Sequence, residues 1–299
     1  MTTATVLKQW ETTFSRWSSP PSESETARCQ NAERGVKNAL NSSDALKSKS
    51  FRVFTQGSYR NRVNVRKDSD VDVGICCDDV IFSQLPPGKS FADFGLIDAS
   101  YSYAQFKNDV QKALVDYFGG QHVTRGNKAI TVRANSYHVE ADVAPFFEHR
   151  RYFDNGRFET GVELRTDKGA RVINWPEQHY ANGVSKNSRT SRRFKGMVRI
   201  LKCLRHQMND DNIASSEPIP GFLIECLTWN CPDAVFGNNS YTADVRGCLA
   251  HLFNETMNDE KCSEWCEVSE LKYLFRGQKW TRQQAHKFIS DAWDYLGFE

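Results

Sequence analysis

Apolar residues recur at helical spacing through residues 3–18, where Trp10, Phe14 and Trp17 would share one face, and again through residues 23–48. Pro20 and Pro21 separate the two predicted helices. Residues 51–55 alternate instead, which predicts a strand delivering the chain to Gly57. A β-branched run from Val71 to Cys76 predicts a second strand, and Phe82 to Ser100, carrying Pro86-Pro87-Gly88, reads as a loop excursion. The helical period returns at Phe106, Val110, Leu114 and Tyr117, so a helix is predicted over 103–118, stopped by Gly119-Gly120. A hairpin is predicted next: residues 129–133, a turn at Asn135-Ser136, then Tyr137 to Val143. In its second strand Val139, Ala141 and Val143 fall on one face, with His138, Glu140 and Asp142 on the other. Residues 148–175 are charged and turn-rich, and the domain boundary is placed there, near residue 165. Helical patterns follow at 189–209, from Gly221, at 241–257 and at 281–296. The expectation is a mixed α/β domain over 1–165, N-terminal helices included, and a helical domain over 166–299.

Chemistry concentrates between Phe54 and Cys76. Gly57-Ser58 opens that stretch, and Ser69-Asp70-Val71-Asp72-Val73 closes it inside the second strand. Residues two apart on a strand share a face, so Asp70 and Asp72 would stand side by side. Paired carboxylates repel unless a cation lies between them, and magnesium takes a few carboxylates plus phosphate oxygens. Gly57 lets the backbone approach a triphosphate and Ser58 offers a hydroxyl. A helix starting there would also present N–H groups to an anion.

The Gly-Ser and Asp-x-Asp pair, in order and with Asn64-Val65-Arg66 between them, resembles the nucleotidyltransferase superfamily typified by DNA polymerase β. The fuller string GSYRNRVNVRKDSDVDV is similar to a narrower group, the bacterial CD-NTases. These are relatives of cyclic GMP-AMP synthase and oligoadenylate synthetase that make cyclic oligonucleotide signals in anti-phage defence (CBASS). The resemblance covers nearly the whole chain. It implies a polymerase β-like core with an oligoadenylate synthetase-like helical domain, and nucleotides in the cleft. It also implies a third acid on a neighbouring strand, matched by Asp142 in VEADVAPFF, with Glu140 as the rival that the family motif disfavours. Asp70, Asp72 and Asp142 would then hold two magnesium ions, with manganese as a substitute. One ion would lower the pKa of a nucleotide 3′-hydroxyl and the other would stabilise the leaving pyrophosphate. Gln56, Gly57 and Ser58 are the implied phosphate cradle.

In the predicted 189–209 helix an apolar stripe (Phe194, Met197, Val198, Leu201, Leu204) runs beside Lys195, Arg199, Lys202 and His206, which make a basic ridge. The family's Arg-x-x-Lys pair on this helix matches Arg199 and Lys202, which implies contact with the donor triphosphate, and Lys195 joins them. Where relatives have Ser-Tyr this chain has Gly221-Phe222, which keeps base stacking through Phe222 and puts the serine's phosphate contact in doubt. The stretch Ile173-Asn174-Trp175-Pro176 followed by His179-Tyr180-Ala181-Asn182-Gly183 is most similar to clade E. There an Asn at the position of Asn174 goes with pyrimidine use. An amide offers a donor and an acceptor together, which suits the O4 and N3–H edge of uracil. The implied reaction joins two nucleoside triphosphates, UTP and ATP foremost, into cyclic UMP–AMP, or cyclic di-UMP as second choice, read by a downstream effector. The competing reading is a template-free transferase acting on RNA or protein.

Composition narrows this picture only at the edges. The 39 basic and 37 acidic side chains nearly cancel, leaving +2, so no global nucleic-acid footprint or template is expected. No apolar run reaches membrane-spanning length, and MTTATVLKQWETTF lacks a signal-peptide core. Nine scattered cysteines, an odd number, read as reduced thiols of a cytoplasmic protein. Cys262 and Cys266 lack the second ligand pair that zinc would need.

Overall fold

The structure, a computed structural model, describes residues 3–20, 22–65 and 70–298. In chain order the elements are α1 (Thr3–Trp17), α2 (Glu23–Asn41), β1 (Phe51–Gln56), α3 (Gly57–Arg60), β2 (Val71–Gln84) and α4 (Tyr103–Phe118). Five strands follow: β3 (Val123–Arg125), β4 (Ile130–Val132), β5 (Ala141–Tyr152), β6 (Phe158–Arg165) and β7 (Arg171–Asn174). The rest is helical: α5 (Pro176–Arg189), α6 (Arg193–Asp210), α7 (Gly221–Trp229), α8 (Tyr241–Thr256) and α9 (Arg282–Tyr295). No helix among the described residues is long and apolar enough to cross a membrane, and every cysteine is a free thiol.

The chain packs as two compact units, one of Ser22–Arg60 and Asp68–Pro176, the other of Met1–Pro21, Asn61–Lys67 and Glu177–Glu299. This division differs from a single boundary near residue 165. The first helix belongs with the helical unit because its aromatic face is spent there. Phe14 is fully buried in that unit's core, Trp10 stacks on it at 5.5 Å, and Glu11 accepts from the N–H groups of Tyr241 and Thr242 at the start of α8.

The sheet unit carries the order β1-β2-β5-β4-β3, with β6 on the far half of β5 and β7 outside β6. The β2–β5 pair is parallel and the others are antiparallel. Parallel neighbours need a crossover, and α4 lies within the β2–β5 connection, burying Phe106, Val110 and Leu114. Ser102 and Gln105 box its N-terminus, and Gly119 ends it at φ 87°.

Residues 148–175 are not turn-rich linker but sheet, since β5 runs to Tyr152 and β6 and β7 follow. One acid among them is buried inside the sheet and answered there by partners from its own and neighbouring strands. Glu163, fully buried, is 2.9 Å from His149 Nδ1, 2.8 Å from Arg171 and 2.9 Å from Arg165. The β2 strand likewise outlasts its predicted end, passing an irregularity between Cys77 and Ile81 and reaching Gln84. By contrast α2 stops at Asn41, short of residue 48.

A second ion-paired knot ties α4 to the sheet. The buried Lys107 Nζ lies 2.9 Å from Asp167, whose carboxylate also takes a two-pronged contact from Arg125 at 2.8 and 2.9 Å. The Arg125 hydrogen bonds, ahead of those from Lys107, hold the Asp167 carboxyl down at about 2. A carboxyl depressed on folding stabilises above its unfolded value, about 3.9, and loses that contribution as pH falls through its folded value. The stability gap between wild type and Asp167→Asn, measured by urea unfolding, should therefore be full at pH 6 and vanish near pH 2. Asp167 is 37% exposed, so raising the salt should also narrow the gap.

Candidate functional site

The acids sit where the sheet's alternation puts them. Across four strands the register aligns Gln56 with Asp72, Asp72 with Asp142, and Asp142 with Thr131. Paired residues share a face, so these side chains form one polar row over the sheet. The flanking rows, Val71 with Ala141 and Val73 with Val143, are buried on the opposite face. Asp72 is exposed and Asp142 half-buried, and Thr131 Oγ1 donates to Asp142 Oδ1 at 2.7 Å. Asp70 lies exposed in the residue just ahead of β2. Arg66 and Ser69 of the motif fall outside the described residues.

Gly57 is required here on two counts. Its φ of 65° is one that side chains other than glycine rarely adopt, and a Cβ at that position would run into Asp72 Oδ2. The backbone of Gly57 thus lies against the acid row, as a phosphate cradle demands. The helix expected after it is a single turn of four residues, Gly57–Arg60.

Among the described residues no three His, Cys, Asp or Glu side chains are gathered as a metal site. The acids come as the Asp72–Asp142 pair with Asp70 beside β2. That donor set suits magnesium, which binds through one or two carboxylates and completes its shell with substrate phosphates and water.

The basic residues of the helical unit are not on a surface ridge. Ser191 and Arg192 adopt left-handed φ of 50° and 66°, which breaks the predicted 189–209 helix and starts α6 at Arg193. The rotation of α6 then buries Lys195, Arg199 and Lys202, at 9, 7 and 2% exposure. Arg199 is committed to the main chain: Nε donates to the Ser18 carbonyl at 2.9 Å, Nη2 to the same oxygen, and Nη1 to the Arg62 carbonyl. Burial pushes its guanidinium down to about 10. Lys195 is lowered by burial too, partly offset by Glu225, and its Nζ lies 5.5 Å from the centroid of the Tyr180 ring.

Lys202 passes under the start of α7, where a Cβ on Gly221 would meet its Cε at 3.2 Å. The missing serine noted in the sequence is thus the residue that makes room for this lysine. Next to it Phe222 is exposed, flanked by His179 at 5.8 Å and Trp280 at 5.9 Å. An exposed ring held between two others is preorganised to stack on a base. Asn174 ends β7, half-buried and in register with Val162, and Gly161 is held to glycine by the Asn174 carbonyl and the Trp175 ring.

Two residues escaped sequence reasoning. Glu225, one turn past Phe222, is buried, and His179 Nε2 donates to its Oε1 at 2.8 Å. Burial alone would raise the Glu225 carboxyl, yet His179, Lys202 and Lys195 together hold it below the usual range. The available signal was a lone acid inside the apolar run GFLIECL.

Comparison with known proteins agrees with this arrangement. The family described as the cGAS/DncV-like nucleotidyltransferase C-terminal helical domain matches residues 181–297. A cyclic dipyrimidine nucleotide synthase CdnE of Cecembia lonarensis is 42% identical over 98% of this chain and 100% of its own length. A protein of the same description from Legionella pneumophila is 44% identical over 96% of this chain and 98% of its own. The structure of the Rhodothermus marinus CdnE c-UMP-AMP synthase with Apcpp and Upnpp superposes with a TM-score of 0.86 at 27% identity, covering 96% of each chain. With likeness of this extent, and with the strand acids and Gly57 in their places, the chain belongs to the CD-NTases, the cGAS/DncV-like nucleotidyltransferases, and within them to the CdnE cyclic dinucleotide synthases.

Proposed function

We propose that this enzyme joins two nucleoside triphosphates, at least one of them UTP, into a cyclic dinucleotide, without a template. The observation carrying the pyrimidine is that both relatives above 40% identity are cyclic dipyrimidine nucleotide synthases, while this chain has Asn174 at the end of β7. Those two favour cyclic di-UMP, and the Rhodothermus marinus enzyme favours cyclic UMP–AMP. Cyclic di-UMP is therefore the first product to seek.

Asp70, Asp72 and Asp142 are the residues that would hold divalent metal, two magnesium ions in the full reading. Bound there, the metal would favour the ionised 3′-hydroxyl and offset charge on the departing pyrophosphate. The chain's own part is to position. Gln56, Gly57 and Ser58 admit the phosphates against the acid row, and Lys195 and Lys202 neutralise the donor triphosphate. Phe222 stacks on a base, and the amide of Asn174 reads the uracil edge. Each transfer forms one 3′-oxygen to α-phosphorus bond and releases one pyrophosphate. The second transfer, on the linear intermediate, closes the ring. A cyclic dinucleotide is a diffusible signal, so a separate sensing effector is its expected reader, consistent with the family's place in anti-phage defence.

Incubation of pure enzyme with four labelled NTPs and magnesium, followed by mass spectrometry, tests the reading. Wild type should incorporate UTP, and Asn174→Ser should move incorporation toward ATP and GTP while total turnover stays within about tenfold. A discriminating amide contact is worth about that factor. Purine-only products from wild type would remove Asn174 from base choice, and transfer only onto added RNA or protein would replace the cyclase reading.

A further inference from the structure

The buried carboxylate on α7 has no part in the chemistry described so far. Glu225 is 3% exposed in an otherwise apolar helix, where an ionised acid persists only if its partners recompense lost water. Its partners are all cationic or hydrogen-donating. His179 donates to Oε1, the Lys202 chain runs past Gly221, one turn before Glu225 on α7, where a Cβ would meet its Cε at 3.2 Å, and Lys195 Nζ lies 5.5 Å from the ring of Tyr180, the chain neighbour of His179. Lys195 and Lys202 lie seven residues apart on α6, two turns along one face, so both reach the same side of the helix. A lysine ammonium on four rotatable bonds is poorly aimed by itself. A buried carboxylate fixed by His179 near such chains supplies the aim.

We propose that Glu225, seated by His179, is a positioning residue for nucleotide binding: it anchors the Lys195 and Lys202 side chains so that both ammonium groups are presented together to the donor triphosphate. The proposal rests on the reading that these lysines meet that triphosphate. A carboxylate that aims cations without touching substrate acts on substrate affinity and leaves the chemical step alone. It also maintains charge on Lys195, which burial, Arg62 and Arg199 all push toward neutrality and Glu225 opposes; the Tyr180 ring also faces its ammonium, and His179 and Lys202 act on Glu225 itself.

Steady-state kinetics of wild type, Glu225→Gln, Lys202→Met and the double variant test this. Glu225→Gln should raise the KM for NTP about tenfold with kcat within twofold, the size of one charge-assisted contact. Its kcat/KM should begin to fall at lower pH than wild type, because Lys195 loses the group that keeps it protonated. Lys202→Met should raise KM by a smaller factor, since Glu225 still aims Lys195. The double variant should be no worse than the poorer single one, since the two residues act as a unit. If Lys202→Met raises KM and Glu225→Gln does not, positioning is overturned and the triphosphate reading survives. An unchanged KM in Lys202→Met overturns both. Should Glu225→Gln fail to fold with a buried lysine unmatched, the double variant, which removes both charges, carries the test. Because Lys195 still depends on Glu225 in Lys202→Met, a KM above that of Lys202→Met with kcat within twofold supports positioning, and a KM equal to that of Lys202→Met overturns it.

Discussion

Asp70→Asn/Asp72→Asn should yield a folded protein whose nucleotide incorporation is below detection, with kcat down by at least about a thousandfold. A metal that polarises phosphoryl oxygens supplies several kcal/mol in the transition state, and each 1.4 kcal/mol is tenfold in rate. The substitution keeps shape and removes only charge, and neither side chain is buried. A second readout separates metal loss from structural damage. Asp72 is directly in register with Asp142, and like charges so placed are destabilising by about 0.2–1 kcal/mol. In metal-free buffer the variant should thus melt no lower than wild type. Adding magnesium should raise the wild-type midpoint and leave that of the variant unmoved. Product formation by the folded double variant would dismiss the acid row as the metal site.

Arg199→Ala carries the other large effect, and it falls first on stability. The guanidinium of Arg199 closes on the carbonyls of Ser18, just past α1, and Arg62, in the segment between α3 and β2. Truncation leaves two acceptors and a cavity where three donor contacts stood, at a cost of about 3 kcal/mol or more. The melting midpoint should drop by roughly 5–10 °C. Arg199→Lys keeps the charge and one donor centre and should recover part of the loss. Five N–H groups belong to a guanidinium, so contacts to a nucleotide beyond these three are open to it. KM for NTP measured below the melting range reports that role by itself. A variant that melts like wild type but binds NTP poorly would make Arg199 a ligand residue and not a brace.

Much of this was legible without coordinates, wherever local rules decide. The helix over 103–118 carried its own stop at Gly119, and its structure begins and ends as its periodicity says. Same-face spacing of Val139, Ala141 and Val143 oriented Asp142 correctly, since a strand's period of two leaves no third option. Illegible was whatever depends on which distant group answers a charge. Glu163, Arg165 and Arg171 look like a solvated turn until strand pairing brings the two arginines and His149 to the Glu163 carboxylate.

The sequence by itself determined the reaction class, because Gly57-Ser58 and Asp70-x-Asp72 are local patterns that carry the resemblance to the nucleotidyltransferases, and strand geometry and glycine's freedom explain why those residue types suit a phosphate and a metal. It also determined that the chain has a sheet part and a helical part, because the hydrophobic period changes from two to 3.6 along it. Only the tertiary structure decided where those parts divide, since α1 is drawn to the helical core by its aromatic face and not by its place in the chain. Only the tertiary structure decided that Lys195, Arg199 and Lys202 of α6 are buried, with Arg199 bound to main-chain carbonyls. A helical period says which residues share a face, and what that face meets is set by partners far along the chain.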